Sequence, residues 1–386
     1  MIQGVIFSLI LLIRGLREDR LADRLLALLI FLLTLRPMNW MLGFAGWYDS
    51  HDAFTTFIFY FPWNWFLLLG PLTYFYFQSL TNQDFTWQKR DWLFFVPTLL
   101  AKFIKLSNFG FDVIWSHQVK GESFPFHYET RGAMDLFSGL SNVLDWISPF
   151  WLLGFLGYTL WQYQRYRRYV AENFSNLAPL DFTWLRNFLV AFSLLQLIYY
   201  GFQVADSLSG EGLSYIQNWY SFFAWGLIIY YLSIAGLLAN AKEHYFLKYH
   251  PSSLLSPTQE NSPPKEVEID SQQKEKLEQL MRSKAPYLSP GLSLQELSDL
   301  MKLPSQELSR LINGAYGQNF NDFINRYRIE AVKKALLDPS LQHLSLLGIA
   351  LDAGFNSKAT FNRVFKEHTG LSPSAWRKQV SQVDTI

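Results

Sequence analysis

Long apolar stretches, separated by short polar or basic loops, run through the first 242 residues and constrain the fold more than any other feature. A helix needs about 20 mostly apolar residues to cross a bilayer, and it satisfies its own backbone hydrogen bonds there. The pattern predicts an all-α, polytopic transmembrane helix bundle of about seven spans. The expected spans are residues 2–14, 24–46, 54–80, 92–111, 140–163, 184–206 and 217–240.

The composition indicates two parts that face different solvents. Of the 386 residues, 50% are hydrophobic and 17% are charged, whereas soluble domains carry about 25% charged residues. The apolar blocks end near Lys242, and the chain is polar from His250 onward. We therefore expect a transmembrane sensor or anchor domain at 1–242, a flexible Pro-rich cytoplasmic linker at 243–270 and a helical domain at 271–386.

Two whole-chain properties limit the chemistry. The chain contains no cysteine, which excludes disulfides, thiolate catalysis and zinc sites built on cysteine. It also contains no Gly-rich phosphate loop, no HExxH pair and no nucleophile elbow. We therefore expect no enzyme activity, no cofactor and no metal site.

Basic residues are concentrated in the first, third and fifth loops between the predicted spans. Because lysine and arginine favour cytoplasmic loops, these three loops are expected on the cytoplasmic side of a bacterial inner membrane. The C-terminal part is then cytoplasmic. The first segment is short because Arg14 follows closely on Met1, so the pattern leaves open whether it spans fully. The basic loop residues are Arg14, Arg17, Arg20, Arg24, Lys89, Arg90, Arg165, Arg167, Arg168 and Arg186.

Several polar residues interrupt the predicted spans, mostly in their outer halves. An ionisable group in a membrane is costly and usually faces a partner or a wet cavity. Arg36 and Asp145 have opposite charges and could pair. One interpretation is an outward-opening ligand pocket; the other is structural, with interhelical hydrogen bonds or a snorkelling arginine. The candidate pocket residues are Arg36, Asn39, Asn64, Asp145, Gln203 and Asn218.

The C-terminal part begins with a pair of short amphipathic helices, written LSLQELSDLMKLPSQELSRLINGAYG. Ser293 and Glu296 have the spacing of a capping box. The pair is expected to break near Lys302–Pro304. We expect the buried positions to be Leu294, Leu297 and Leu300 in the first helix and Leu308, Leu311 and Ile312 in the second.

A second helix pair with the same pattern is predicted about fifty residues later, after a connecting helix with the sequence NFNDFINRYRIEAVKKALLD. Gly354 is expected at the turn, where a tight or left-handed backbone excludes larger residues. Ser357 can cap the helix that follows, and Trp376 can plug the core. The inward positions are expected to be Leu347, Ile349 and Ala350, then Phe361, Val364 and Phe365.

The residue pattern of these two helix pairs is similar to a known family. The matching positions are Leu294, Leu297, Leu308-Ser309-Arg310, Ile349-Ala350, Gly354-Phe355, Ser357, Phe361, Arg363, Phe365-Lys366, Gly370, Ser372-Pro373 and Trp376-Arg377. Residues 277–378, about a quarter of the chain, resemble the DNA-binding domain of AraC/XylS-type transcription regulators. A multi-span membrane part stands where many members of that family have a soluble ligand-binding domain.

The resemblance implies two recognition helices that enter successive major grooves, about 34 Å apart, on one face of the duplex. Arg363 is the strongest candidate for base reading because arginine can bind guanine through two hydrogen bonds. Lys366 is expected to hold phosphate. Residues 285–386 carry a net charge of only +2, which suggests weak binding by one copy. The other base-reading candidates are Gln306, Ser309, Arg310, Lys358 and Asn362.

Together these features predict a membrane-embedded one-component transcription regulator. Its expected partners are double-stranded DNA, the lipid bilayer, an unidentified small-molecule or membrane-borne signal, RNA polymerase and a second copy of the chain. Linking two weakly binding domains in a dimer raises their effective concentration on DNA. Two alternatives stay open: a transporter or membrane enzyme whose tail regulates its own gene, and a regulator that the spans anchor passively.

Overall fold

The structure is a computed structural model of the chain, and it describes residues 1–47, 52–123, 133–210, 214–239, 249 and 271–383. Every regular element among these residues is helical, which confirms the predicted all-α class. The chain divides into two compact units. The N-terminal unit comprises Met1–Tyr163 and Phe182–Ser256, and the C-terminal unit comprises Gln164–Asp181 and Pro257–Ile386. Apart from Tyr249, the predicted linker at 243–270 lies outside the described residues.

The helices of the N-terminal unit follow the apolar stretches of the sequence. A 3₁₀ turn at Lys89–Phe95 precedes α5, and a wider π-helical segment at Gly110–Val119 follows it. Among the described residues its helices are α1 Ile2–Arg17, α2 Leu21–Phe44, α3 Ala53–Tyr60, α4 Phe66–Thr81, α5 Val96–Phe109, α6 Ala133–Asn173, whose end belongs to the C-terminal unit, α7 Thr183–Ser209 and α8 Ser214–Leu238.

Five helical stretches of the described residues are long and apolar enough to cross a membrane, not the seven predicted. The first predicted span forms α1, whose 16 residues reach about 24 Å, short of the roughly 30 Å of a hydrocarbon core. The third predicted span, at 54–80, is also shorter than expected. The five stretches are Leu21–Phe44, Lys89–Val119, Phe137–Asn173, Ala178–Ser209 and Gln217–Leu238.

Pro62 explains why the predicted span at 54–80 breaks into α3 and α4. Proline disfavours helical backbone in the residue before it, and Phe61 accordingly leaves the helix with φ −56° and ψ 139°. The indole Nε1–H of Trp63 donates to the carbonyl oxygen of Ile58 at 2.8 Å, across this break. The prediction failed here because the apolar composition continues through a break of the backbone.

A partly buried ion pair joins three helices of the N-terminal unit. The Nε of Arg14 lies 2.7 Å from an Asp23 carboxylate oxygen. The same guanidinium donates to the carbonyl oxygens of Gly236 and Leu237, both at 3.0 Å. These carbonyls belong to the last turn of α8, where a helix has no internal donors left. Arg14 therefore links α1, α2 and α8.

The described residues of the C-terminal unit form seven further helices and two apolar cores. The connecting helix α12 contributes Phe320, Phe323 and Ile324 to the first core and Ile329, Val332 and Leu336 to the second. A single rigid element therefore holds both helix pairs. The helices are α9 Ser271–Ser283, α10 Leu294–Met301, α11 Ser305–Tyr316, α12 Phe320–Leu337, α13 Leu346–Asp352, α14 Lys358–Thr369 and α15 Pro373–Val383.

Two predicted core residues face solvent instead. Leu300 is 43% exposed and Leu347 is 38% exposed, whereas Met301 is fully buried. The buried residues of α10 are Leu294, Leu297, Ser298 and Met301, and Ile349, Ala350 and Ala353 are buried in and just after α13. Helix α10 thus buries the i, i+3, i+4 and i+7 positions of one stripe. Helix α13 continues the same pattern from the half-buried Leu346, and the two exposed leucines lie beside these stripes.

Candidate nucleic-acid interface

The second helix of each pair, α11 or α14, starts at a defined cap. Pro304 precedes α11 with extended backbone. The Ser357 hydroxyl accepts the Thr360 amide N–H at 3.2 Å and caps α14. Gly354 has a φ of +92° at the turn before α14, as the sequence predicted. These local features set where each helix begins and which face it turns outward.

The outer face of α11 carries the three residues predicted for the first motif. Leu308, Leu311 and Ile312 are buried, so the opposite side of the helix faces solvent. Gln306 and Arg310 are exposed there, and Ser309 is half-buried between them. The amide, hydroxyl and guanidinium groups of these residues can all bond to base edges or phosphates.

The outer face of α14 carries the four residues predicted for the second motif. Phe361, Val364 and Phe365 bury the other side of this helix. The structure therefore brings the predicted residues of each motif onto one solvent-facing surface of its second helix. The exposed residues on α14 are Lys358, Asn362, Arg363 and Lys366.

Arg363 has an internal partner in the DNA-free protein. Its Nη1 lies 2.9 Å and 2.8 Å from the two carboxylate oxygens of Glu367, one turn later on α14. Both side chains are more than half exposed, and pairs of this kind contribute about 0–1 kcal/mol. Arg363 can therefore leave Glu367 for a guanine edge at small cost.

Arg328, on α12, is a central residue that the sequence did not single out. It is only 2% exposed. Its guanidinium donates to the carbonyl oxygens of Tyr287 and Ser289, both at 2.8 Å. Burial lowers the pKa of Arg328 to about 10, so the side chain stays charged near neutral pH. A buried charge is tolerated when hydrogen bonds replace water, and these carbonyl oxygens supply them.

Arg328 also binds Ser175, just after the end of α6, in the stretch Gln164–Asp181 that belongs to the same unit. Its guanidinium donates to the Ser175 carbonyl oxygen at 3.2 Å and to the Ser175 hydroxyl at 3.0 Å. The Asn321 side-chain amide donates to the same carbonyl at 2.8 Å and to that of Phe174 at 3.2 Å. The Ser175 amide N–H donates to the Leu292 carbonyl at 3.1 Å. Ser175 is thereby bound through all of its polar groups.

A sequence signal for this contact exists in α12. Asn321, Asn325 and Arg328 follow the i, i+4, i+7 spacing of one helix stripe, and all three are buried. The Asn325 side-chain amide donates to the side-chain oxygen Oδ1 of Asn321 at 2.9 Å. A polar stripe on a buried helix face indicates a polar partner, but the pattern does not say which segment supplies it.

The six candidate pocket residues lie on several elements of the N-terminal unit. Arg36 donates to the Tyr199 hydroxyl at 3.4 Å and lies 4.7 Å from the centroid of the Phe66 ring. The Asn64 side chain accepts the Phe66 amide N–H at 3.1 Å. Within the described residues, no salt bridge joins Arg36 to Asp145. The positions are Arg36 and Asn39 in α2, Asn64 between α3 and α4, Asp145 in α6, Gln203 in α7 and Asn218 in α8.

Comparisons with known proteins agree with the geometry of the C-terminal unit. Residues 297–379 match the family model described as a helix-turn-helix domain. No solved structure matches the chain.

Proteins described as transcription factors or regulators are among those similar to part of this chain. A probable transcription factor, PqrA of Proteus vulgaris, is 27% identical over 95 residues, which cover 25% of this chain and 75% of the relative. An uncharacterized HTH-type transcriptional regulator of Staphylococcus aureus is 35% identical over 91 residues, covering 24% of this chain and 12% of the relative. Another, from Haemophilus influenzae, is 34% identical over 88 residues, covering 23% and 28%.

The chain thus spans 12% of the length of the Staphylococcus aureus relative, and the likeness concerns one domain. The matched region contains two helix pairs joined by one connecting helix, and the second helix of each pair is exposed on one side. The resemblance is confirmed for this region: the C-terminal part of the chain is an AraC-type helix-turn-helix domain, and its relatives are transcriptional regulators.

Proposed function

We propose that this protein is a membrane-embedded one-component transcription regulator, which binds specific DNA in response to an external or membrane-borne signal. The observation that carries the proposal is the pair of exposed polar faces on α11 and α14, held on one domain by α12. Two such faces can enter successive major grooves. The side chains proposed to contact DNA are Gln306, Ser309, Arg310, Lys358, Asn362, Arg363 and Lys366.

The five long apolar helices support the membrane part of the proposal. The basic loops of the sequence favour an orientation with the C-terminal unit in the cytoplasm of a bacterium, where it can reach DNA. The proposed domains remain a membrane domain at 1–242, a linker at 243–270 and a DNA-binding domain at 271–386. The described helices carry no catalytic motif, and the relatives are regulators rather than enzymes.

A direct comparison of two variants tests DNA reading. Arg363→Ala removes a proposed base contact, so we expect binding to the preferred site to fall by about 10- to 100-fold and specificity at one base to relax. Lys366→Ala removes a phosphate contact. This variant should bind all DNA sequences more weakly to a similar extent. The slope of log affinity against log salt concentration should become shallower by about 1. Sites are first found by crosslinking the full-length protein to the genome, and affinities are then measured by mobility shift.

Lys334→Ala provides the control, because Lys334 is an exposed lysine of the same domain on α12, away from both outer faces. It should leave specificity and the salt slope close to those of the wild type. Equal specificity in the wild type and Arg363→Ala would contradict base reading by α14. The absence of discrete genomic sites for the full-length protein across growth conditions would contradict the DNA role itself.

The segment Gln164–Asp181 supports a route for the signal. It comprises the end of α6 and the loop that leads to α7, yet its residues pack with the DNA-binding domain in the C-terminal unit. Helix α6 contributes residues to both units. We infer that a signal which shifts α6 weakens or strengthens the hydrogen bonds between Ser175 and α12. This would change the orientation in which the two DNA-binding domains of a dimer meet DNA. A rigid helix transmits such a shift better than a Pro-rich tether.

Asn321→Ala is expected to loosen this segment without unfolding the domain. The change removes the two hydrogen bonds to the Phe174 and Ser175 carbonyl oxygens and the one that Asn321 accepts from Asn325, each worth about 1 kcal/mol. Exchange of the Ser175 amide hydrogen should then speed up by about tenfold or more, while the amides of α14 keep their protection. Basal transcription from the target promoter should change in the same variant.

Hydrogen-exchange mass spectrometry on the full-length protein measures the first effect, and a promoter fusion measures the second. Asn321→Asp is the matched variant, since it keeps the size of the side chain and removes the donor. Faster exchange with unchanged transcription in both variants would rule out this segment as the signal route.

A further inference from the structure

A cavity in the N-terminal unit has no role in the DNA-binding proposal. It lies between α3, the break after α3, and α5, and its volume is about 480 Å³. Ligand sites for small molecules usually have volumes of about 300–1,000 Å³ and mostly apolar walls. Its walls are largely aromatic, with Phe57, Tyr60, Phe61, Pro62, Trp65 and Phe109 beside Lys102, Lys105 and Leu106.

Two lysines place positive charge in this apolar wall. The Lys102 ammonium lies 4.0 Å from the ring centroid of Trp65 and donates to the Asn64 carbonyl oxygen. The Lys105 ammonium lies 5.7 Å from the ring centroid of Phe59. Among the described residues, neither lysine forms a salt bridge. The cavity therefore presents two positive charges with no carboxylate partner in the part of the chain that the structure describes.

The neighbouring carboxylate is engaged elsewhere. Asp112 is buried, and it accepts a hydrogen bond from the hydroxyl of Tyr60, a residue of the cavity wall. A lysine that merely snorkels extends its ammonium toward water. Lys102 and Lys105 are instead half-buried, with their ammonium groups over aromatic rings. Their placement favours an anion that enters the cavity itself.

We propose that this cavity binds an amphiphile with one hydrocarbon chain and a carboxylate headgroup, a long-chain fatty acid. The two ammonium groups would hold the carboxylate, and the aromatic wall would cover the chain. A single cavity of this volume accommodates one chain, whereas a phospholipid carries two. If the protein is the regulator proposed above, on which this part of the inference rests, the fatty acid is its signal.

Fluorescence quenching by a brominated fatty acid tests the proposal on the full-length protein. The protein is placed in nanodiscs of phosphatidylcholine, which has no net charge, and dibromostearate is added. Bromine quenches tryptophan on contact, and Trp65 lines the cavity. We expect saturable quenching, most of which disappears in Trp65→Phe. The double variant Lys102→Gln/Lys105→Gln should bind at least tenfold more weakly.

Two further variants separate charge from folding. Lys102→Arg/Lys105→Arg keeps both charges and should retain binding. Lys120→Gln is the matched control, since Lys120 also lies over a tryptophan, 5.9 Å from the Trp115 centroid, but does not line this cavity. It should bind dibromostearate as the wild type does.

Each other outcome overturns the proposal. Quenching by brominated phosphatidylglycerol but not by dibromostearate would assign the cavity to an anionic phospholipid. Quenching that does not saturate, or that survives in both Trp65→Phe and the glutamine double variant, would mean partitioning into the bilayer. The assay contains no DNA, so Arg363→Ala should bind the fatty acid normally. Failure of the DNA-binding role is thereby distinguished from failure of this site.

Discussion

Replacing Arg328 with alanine is expected to destabilise the C-terminal unit by on the order of 3–5 kcal/mol, because several buried hydrogen bonds to a charged group are lost at once. The change leaves the carbonyl oxygens of Tyr287, Ser289 and Ser175 without their donor. Each hydrogen bond to a charged group contributes about 1.5–3 kcal/mol. It also empties space beside the ring of Phe355. Because a whole domain is stable by only about 5–15 kcal/mol, DNA binding should be lost with the fold.

This effect is measured by chemical denaturation of the full-length protein. Proteolytic cleavage within residues 271–383 reports the unfolding of the C-terminal unit. Arg326→Ala is the matched control, because Arg326 lies on the same helix and stacks 4.9 Å from the centroid of Tyr316 without the buried carbonyl contacts. We expect it to cost about 1 kcal/mol or less. Lys in place of Arg328 keeps the charge but cannot reach several carbonyls at once, so it should rescue stability only in part. Equal stability of the two alanine variants would refute the central role of Arg328.

Arg328 also shows where sequence reasoning stops. The residue pattern around Arg328 predicts α12 as a helix, and the sequence also shows the polar stripe that Arg328 forms with Asn321 and Asn325. Its partner Ser175, however, is 153 residues away in the chain. No local pattern connects the two, since the contact depends on the folded path of α6 and on the placement of the α6–α7 segment.

Local features were more predictable, and they cover most of the C-terminal unit. The capping box of Ser293 and Glu296 is present, with the Ser293 amide N–H donating to a Glu296 carboxylate oxygen at 2.8 Å. Trp376 packs with its ring centroid 5.9 Å from that of Phe365. These features depend on residues within one or two helical turns or on one recurring motif. The roles of the DNA-facing side chains and of the candidate pocket stay predictions.

In the N-terminal unit, hydropathy located the apolar helices but not their breaks. The chain is apolar on both sides of Pro62. A hydropathy window of about 20 residues therefore predicts one span, where the structure has two helices. The break is what opens the cavity lined by Pro62, Trp65 and Lys102. Counting predicted spans therefore does not locate this cavity, which is the proposed ligand site of the unit.

Gly354→Ala is expected to disable the second helix pair while leaving the first in place. An alanine Cβ at this position would lie 2.5 Å from the Tyr287 carbonyl oxygen and 3.0 Å from the Arg328 Nε. The backbone φ of +92° adds a penalty of about 1–2 kcal/mol for a residue with a Cβ. With the steric overlap, the total cost should be about 3 kcal/mol.

Gly370→Ala separates these two contributions. Gly370 has a φ of +74°, but a Cβ there would meet nothing within 4 Å, so only the backbone penalty of about 1 kcal/mol applies. Urea unfolding of the full-length proteins gives the two costs, and footprinting on a genomic site gives the functional result. Because Gly354 sits at the turn before α14, its variant should lose protection in one major groove and keep it in the groove bound by α11. Equal costs for the two glycine variants, or protection of both grooves in Gly354→Ala, would show that the close packing of Gly354 against Tyr287 does not position α14.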